Sequence, residues 1–376
     1  MGETVSTMTP SFNGSVRVEL SGQRTTSDSG ALLLREALDS SGVMPALEQH
    51  LVDPRDPQRV RHSLASQLRT VVLQRAMDGI DLSDTTTLRR DPLWQLACSD
   101  ARGTTPVAQD RPSQATLSRL LRCLGSDDNI DVVHEGLLRL AIWRLSLLRR
   151  GERPKRLTLD IDGLPIEVFG HQGGSAFHGH VGLRIYSPLI ASLAETGDML
   201  REGNAGPAEN ADTWIPHLVR RLNEGLGAEA RVRIDACFTD NDTLEALEDR
   251  SIEYLGRLRS HSGLQALVAP YFRFDWPPER VLALYRQRGS AEAHMGEVKS
   301  ALGVHLSSTD RGDSTVQDVM ARNEVSLLMS LYAYQVLHGL RRLLESRTHH
   351  GWSLQRMREQ VLKVAAIVDP EIKTLV

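Results

Sequence analysis

Tyr285, Arg288, Glu292 and Lys299 are spaced Y-x2-R-x3-E-x6-K, and each carries a group that can handle phosphate or a metal ion. On one continuous helix, turning about 100° per residue, they project within roughly 60° of one another along about 21 Å of axis. An acid flanked by two cations and a phenol makes a poor core face and a good platform for phosphate and a divalent ion. Lys299 sharpens the pattern, because the chain has four lysines against forty arginines. The same spacing also describes an amphipathic surface helix with solvated charges. Leu284, Ala291, Met295, Val298 and Leu302 would supply its apolar stripe. Pro277 and Pro278 can open it, so one helix is expected over 278–302. Glu297 projects more than about 120° from Glu292 and is not an equivalent candidate.

Two further acids lie on strands. In KRLTLDIDGLPIEVFG, Leu157, Leu159 and Ile161 share one face, and Thr158, Asp160 and Asp162 share the other. Asp-Gly then signals a turn. In ARVRIDACF, Val232, Ile234 and Ala236 share one face and Asp235 points the other way. A lone aspartate near a strand end is ordinarily a turn former. Two on strands, followed by a glutamate on a later helix, form the arrangement that holds two Mg²⁺ ions for phosphoryl transfer.

With these residues in place, the chain resembles a DDE transposase of bacterial insertion sequences, in the class with the tyrosine-arginine-glutamate-lysine signature. Within that class it is most similar to the thirteen-eighty family, from about Thr26 to Val368. RHSLASQLRTVVLQRAMDGIDLSD, LRRDPLWQLA, RPSQATLSRLL, HQGGSAFHGHVGLRIYSPLIA and WSLQRMREQVLKVAAIV carry the likeness. The resemblance implies Asp162, Asp235 and Glu292 as catalytic acids and ligands of two Mg²⁺ ions, which Mn²⁺ can replace, with Asp160 a neighbour. It implies cut-and-paste transposition through a hairpin, with Tyr285, Arg288 and Lys299 on DNA phosphates. It also implies double-stranded DNA ending in terminal inverted repeats as partner, a homodimer on that DNA, and a cytoplasmic location. Two rival readings accompany it: a transposase-derived DNA-binding scaffold with weak or no catalysis, and a stand-alone nuclease of the same fold.

The chain departs from these relatives in three places. Asp235 and Glu292 are only 57 positions apart (292 − 235), where relatives carry a longer β-rich insertion. DACF replaces the usual Asp-Ser-Gly-Phe, and Gly-Leu follows Asp162. A short crossing and a shallow, exposed pocket are therefore expected. Trp276 offers a surface on which a base could stack.

The elements that must position these residues read as an α/β protein: an RNase H-like core, a mixed sheet flanked by helices, with all-α N- and C-terminal regions. The expected divisions are a flexible arm over 1–25, a helical DNA-binding region over 26–152, the catalytic core over 153–305 and a helical region over 306–376. Three antiparallel strands, helix, strand, helix, strand is the order expected of the core. In that fold the first and fourth strands lie side by side, which would bring Asp162 and Asp235 together. VRHSLASQLRTVVLQRAMDG reads as a long amphipathic helix. RPSQATLSRLLRCLG is the best block for docking on DNA, with Arg119 and Arg122 as phosphate-binding cations beside Ser113, Thr116 and Ser118. Its other reading is a polar face in an ordinary bundle. His171, His178 and His180 read as a structured turn rather than a zinc site, because their ligand spacing is poorly defined.

The bulk numbers exclude several classes. No apolar run reaches about 18 residues, so no membrane span is expected. Three scattered cysteines, Cys98, Cys123 and Cys237, suggest neither a disulfide scaffold nor a zinc site and fit a reducing cytoplasm. Net charge is −4, unlike a typical nucleic-acid binder. The acidic excess sits in residues 151–275, with 19 acids against 13 bases, where metal-binding carboxylates are expected.

Overall fold

The computed structural model describes residues 7–8, 18–19, 25–100, 111–147, 155–170, 172–179, 181–200, 211–258, 262–268, 277–304, 306 and 315–368. Trp276, His171 and His180 lie outside these residues, as does most of the 1–25 arm. Strands β1 (Thr7–Met8) and β2 (Val18–Glu19) pair antiparallel, and β3 (Thr25–Thr26) follows. Helices α1 (Ala31–Ser40), α2 (Val43–His50), α3 (Leu64–Ala76), α4 (Thr85–Leu88), α5 (Pro92–Ala97), α6 (Gln114–Leu124) and α7 (Asp127–Ser146) come next. Ser63, Asp91 and Ser113 start α3, α5 and α6 by accepting hydrogen bonds from the orphan N–H groups of the first turn. Gly42 takes φ 68° between α1 and α2, a conformation glycine adopts without strain.

Strands β4 (Arg156–Gly163), β5 (Ile166–Glu167), β6 (Ala176–His178), β7 (Leu183–Tyr186), β8 (Leu189–Leu193) and β9 (Met199–Leu200) follow. Then come α8 (Ala211–Leu226), β10 (Glu229–Ile234), α9 (Asn241–Glu248), β11 (Tyr254–Gly256) and α10 (Ser262–Val268). The main sheet has the order β11-β10-β4-β8-β9. β10 is parallel to both β4 and β11, whereas β8 is antiparallel to β4 and to β9. The expected run of three antiparallel strands is more complex. Between β4 and β8 the chain builds a side sheet, β5-β7-β6, beyond the end of β4 at which Asp162 stands. Gly163 and Pro188 mark the bend, where Leu164 N–H donates to the Pro188 carbonyl at 2.9 Å.

The remaining elements are α11 (Pro278–Arg286), α12 (Gly289–Ala301), α13 (Val316–Thr348), α14 (Leu354–Met357) and β12 (Ala366–Ile367). A Thr315–Asp318 capping box starts α13. Two core clusters result. One is helical and gathers around α13, whose central stretch from Val325 to Leu337 is almost wholly buried. The other fills the space between the main sheet and α8. Helix α7 serves both: Val133, Leu137 and Leu140 face the helices, while Leu138, Ala141 and Leu145 face the sheet.

Three expectations change. The single helix over 278–302 is two helices, because Arg288 N–H bonds back three residues to Tyr285 O at 3.0 Å and the ladder is interrupted at 287–288. α3 is not an amphipathic surface helix. All thirteen of its residues are buried, including Gln67, Arg69, Gln74 and Arg75. The terminal regions are not purely helical either, since β12 pairs antiparallel with β3.

Candidate active site

Ile161 on β4 and Ile234 on β10 are register partners in neighbouring parallel strands. The next residue in each case is an aspartate, Asp162 within β4 and Asp235 just past the end of β10. Strand alternation turns both side chains to the face opposite the two isoleucines. Asp162 and Asp235 therefore stand side by side at the carboxyl ends of strands about 4.8 Å apart. Local hydrogen bonds orient them. Asp162 Oδ1 accepts from Gly163 N–H at 2.9 Å, and Asp235 Oδ1 accepts from Cys237 N–H at 2.7 Å. One pleat below, Asp160 is wholly buried and held in a two-pronged pair with Arg233, at 2.6 and 2.7 Å. Arg233 also donates to the Leu284 carbonyl at 2.6 Å, which fastens α11 to the sheet. Asp160 is thus occupied, and Asp162 is the open acid of this strand.

Arg288, at the break between α11 and α12, is buried and points inward. Its Nη2 lies 2.5 Å from Asp162 Oδ2 and its Nη1 lies 3.3 Å from Glu292 Oε1. Nη2 also reaches the Ile161 carbonyl at 3.5 Å, while Nε is buried with no hydrogen-bond partner among the described residues. Glu292 is 63% exposed at the rim. Burial pushes the Asp162 carboxyl above the usual carboxylate range; Arg288 opposes this, and the charges of Asp235 and Glu292 add to it. Asp162 therefore feels both other acids, with the Arg288 guanidinium between it and Glu292.

Tyr285 is half-buried on α11. Glu292 and Lys299 remain on one face of α12, two turns and about 10.5 Å apart, both exposed. The stripe therefore divides: Arg288 joins the aspartates, and the others stay at or near the surface. Glu297 serves the fold: both its oxygens accept from Arg341, at 2.7 and 2.5 Å, and it caps α14 through Leu354 N–H at 3.2 Å. Arg119 and Arg122 are exposed on α6, in the helical body. Ser113 and Thr116 beside them are partly engaged, since Ser113 Oγ caps the helix and meets Thr116 Oγ1 at 3.0 Å. Arg119 borders a cavity of about 230 Å³ with Arg55, Leu64, Thr116 and Leu120. Arg233 was missed from sequence, though RVRID places Arg231, Arg233 and Asp235 on one strand face.

Two aspartates and a glutamate offer only hard oxygen donors, the set that suits Mg²⁺ or Mn²⁺. The donor type fits. Among the described residues, however, no three His, Cys, Asp or Glu side chains gather as a metal-holding group, and Arg288 contacts both Asp162 and Glu292. No helix among the described residues is long and apolar enough to cross a membrane.

Comparison with known proteins gives one family. Residues 8–274 match the model of the transposase DDE domain, group 1. The match includes Asp162 and Asp235 and ends before Tyr285, Arg288, Glu292 and Lys299. No curated protein matches the chain. The paired strand-end aspartates lie within a match covering well over half of the sequence, and the chain belongs to the DDE transposase family, group 1.

Proposed function

We propose that this transposase-family protein is a cut-and-paste DNA transposase of the tyrosine-arginine-glutamate-lysine class with an RNase H-like core. It would hydrolyse a phosphodiester at the element's ends and transfer the freed 3′-OH to a target. The register of Ile161 against Ile234, which sets the following residues Asp162 and Asp235 beside each other, carries the reading. The sheet order supports it, because numbering the core strands from β4 gives 5-4-1-2-3 with only the second antiparallel to both neighbours. Asp162 and Asp235 would hold divalent ions together with Glu292. Bound there, two such ions supply a nucleophile at neutral pH and charge stabilisation for the leaving oxygen.

The chain's own residues do the rest. The pair of Asp160 and Arg233 fixes the floor beneath Asp162 and anchors α11. Arg288 offers a fork for a phosphate, Lys299 a point charge and Tyr285 a hydroxyl donor. Arg119 and Arg122 would grip the duplex away from the chemistry. The DNA partner would end in inverted repeats, bound by a protein dimer. Incubating the protein with its flanking DNA and Mg²⁺ or Mn²⁺ should yield nicked ends. Asp162→Asn, Asp235→Asn and Glu292→Gln should each abolish the nicks and leave DNA binding largely intact. Equal cleavage by the triple variant and the wild type rules the reading out. DNA binding without nicks favours a scaffold, a role compatible with the exposed Glu292 and its contact to Arg288.

A further inference from the structure

We propose that Arg288 is a built-in counter-ion that a DNA phosphate must draw away before the acidic site can bind a divalent ion, so that metal binding is coupled to DNA binding. This rests on the reading of Asp162, Asp235 and Glu292 as the metal site, and it adds the order in which that site is filled.

Arg233 and Arg288 each reach an acid of β4, and they are held differently. Arg233 uses its fork on Asp160 and a third donor on the Leu284 carbonyl, with every contact between 2.6 and 2.7 Å. It is a finished structural pair. Arg288 makes one short contact to Asp162, a longer one at 3.3 Å to Glu292 and a marginal one at 3.5 Å to Ile161 O, and its buried Nε has no hydrogen-bond partner among the described residues. A buried donor without a partner is unfavourable, so this seat suits the guanidinium only partly. The backbone around it is open. Gln287, Gly289 and Ser290 are exposed, and Arg288 is the single buried residue of the turn between α11 and α12. Side-chain rotation at this turn would carry the guanidinium outward.

Charge explains why it sits there. Arg288 contacts Asp162 and Glu292, and Asp162 also feels the charge of Asp235. A divalent ion needs carboxylate oxygens at about 2.0–2.1 Å, and Asp162 Oδ2 already has a guanidinium at 2.5 Å. A phosphate offers Arg288 a two-pronged partner of matching shape. Once Arg288 turns to the phosphate, the carboxylates regain their repulsion and a divalent ion relieves it. Linkage makes this reciprocal: DNA tightens metal binding, and metal tightens DNA binding.

The test counts bound Mn²⁺ by the electron-paramagnetic signal of the free ion, using the full chain with and without a blunt duplex oligonucleotide. Wild-type protein should bind Mn²⁺ weakly alone and about tenfold or more tightly with duplex, a typical size for coupling between sites. Arg288→Gln should bind Mn²⁺ tightly without DNA and gain nothing from the duplex. Arg286→Gln, which removes an exposed cation two positions away, should behave as the wild type. Equal Mn²⁺ affinity of the wild type with and without duplex overturns the proposal, as does a DNA requirement that persists in Arg288→Gln. If Arg288→Gln fails to fold, Arg288→Met, which keeps the apolar bulk of the stem and removes the charge, carries the same expectations. Asp162→Asn and Asp235→Asn separate the two levels. If neither changes Mn²⁺ binding in any state, the metal-site reading falls and takes the coupling with it. If both abolish binding while the wild type ignores DNA, only the coupling falls.

Discussion

Asp160 and Asp162 are one pleat apart on the same face of β4, and burial pushes both carboxyls above the usual carboxylate range, yet their partners differ. Asp160 has a dedicated buried partner in Arg233, and both side chains are fully enclosed. Removing one member of such a pair strands the other charge and costs about 3–5 kcal/mol. Asp162 shares Arg288 with Glu292 and lies beside Asp235, and its carboxyl is raised by burial first of all. A raised carboxyl stabilises the fold below the ordinary aspartate value of about 3.9, and that contribution is lost as pH rises through the raised value. Ionised Asp162 is therefore a liability near neutral pH. Thermal melts should show Asp160→Asn strongly destabilised at about pH 7.5 and Asp162→Asn at least as stable as wild type. The advantage of Asp162→Asn should shrink as pH is lowered towards about 4. A large loss of stability in Asp162→Asn at neutral pH would mean that its bond to Arg288 outweighs the like charges.

At the scale of elements, α12 is held by a buried polar network against α13 and the turn between β8 and β9. His338 on α13 stacks on Tyr334 with ring centroids 5.3 Å apart and meets His294 of α12 edge-on at 5.6 Å. The Thr196 carbonyl can only accept, so His338 donates to it through Nε2–H at 2.6 Å. Its Nδ1 is then free of a proton and accepts from Arg341, which also grips Glu297 of α12. Burial, with the positive charges of Arg144 and Arg341, pushes the His338 imidazole well below its usual range. The unfolded chain takes up this proton below about pH 6.5 and the folded chain does not, so acid costs stability. Melting temperature should fall between about pH 7.5 and 5.5, and His338→Gln should flatten part of that slope. Parallel pH profiles for the two proteins would show that His338 is not the group responsible. The network bears on the proposed site because α12 carries Glu292 and Lys299.

At the scale of the whole molecule, the C-terminal segment closes the helical body. β12 pairs with β3, Gly30 N–H donates to Leu362 O at 2.9 Å, and Ser29 N–H donates to Val364 O at 3.2 Å. Arg358 reaches the last carbonyls of two helices: its Nε donates to Ala76 O of α3 at 2.7 Å and its Nη1 to Ala301 O of α12. A cation at helix C-termini is favourable there. Gly30 is the tight point, since a Cβ added to it would lie 2.4 Å from the Leu362 Cα. Backbone cannot yield as a flexible side chain does. Gly30→Ala should cost about 1–3 kcal/mol, as overpacking does, and should speed amide exchange at 362–367. Unchanged exchange there would show that the closure tolerates displacement.

Strand parity and helix capping are local properties, and the sequence alone determined them. The alternation in RLTLDID and RVRID placed Asp162 and Asp235 on matching faces, and the helices begin at their Ser, Asp and Thr caps. Contacts between distant residues were left to the tertiary structure. Arg288 reads as a surface member of one helical stripe, because its attraction to Asp162 appears only once α11 and α12 lie across the sheet. Arg233 reads as a solvent-facing strand residue until β4 supplies Asp160 beside it. The polar residues of α3 suggest a wet face, yet Arg75 bonds to Ser326 and Ser330 of α13, some 250 positions away. Burial of a polar group is decided by what the rest of the chain brings to it, and no local pattern carries that information.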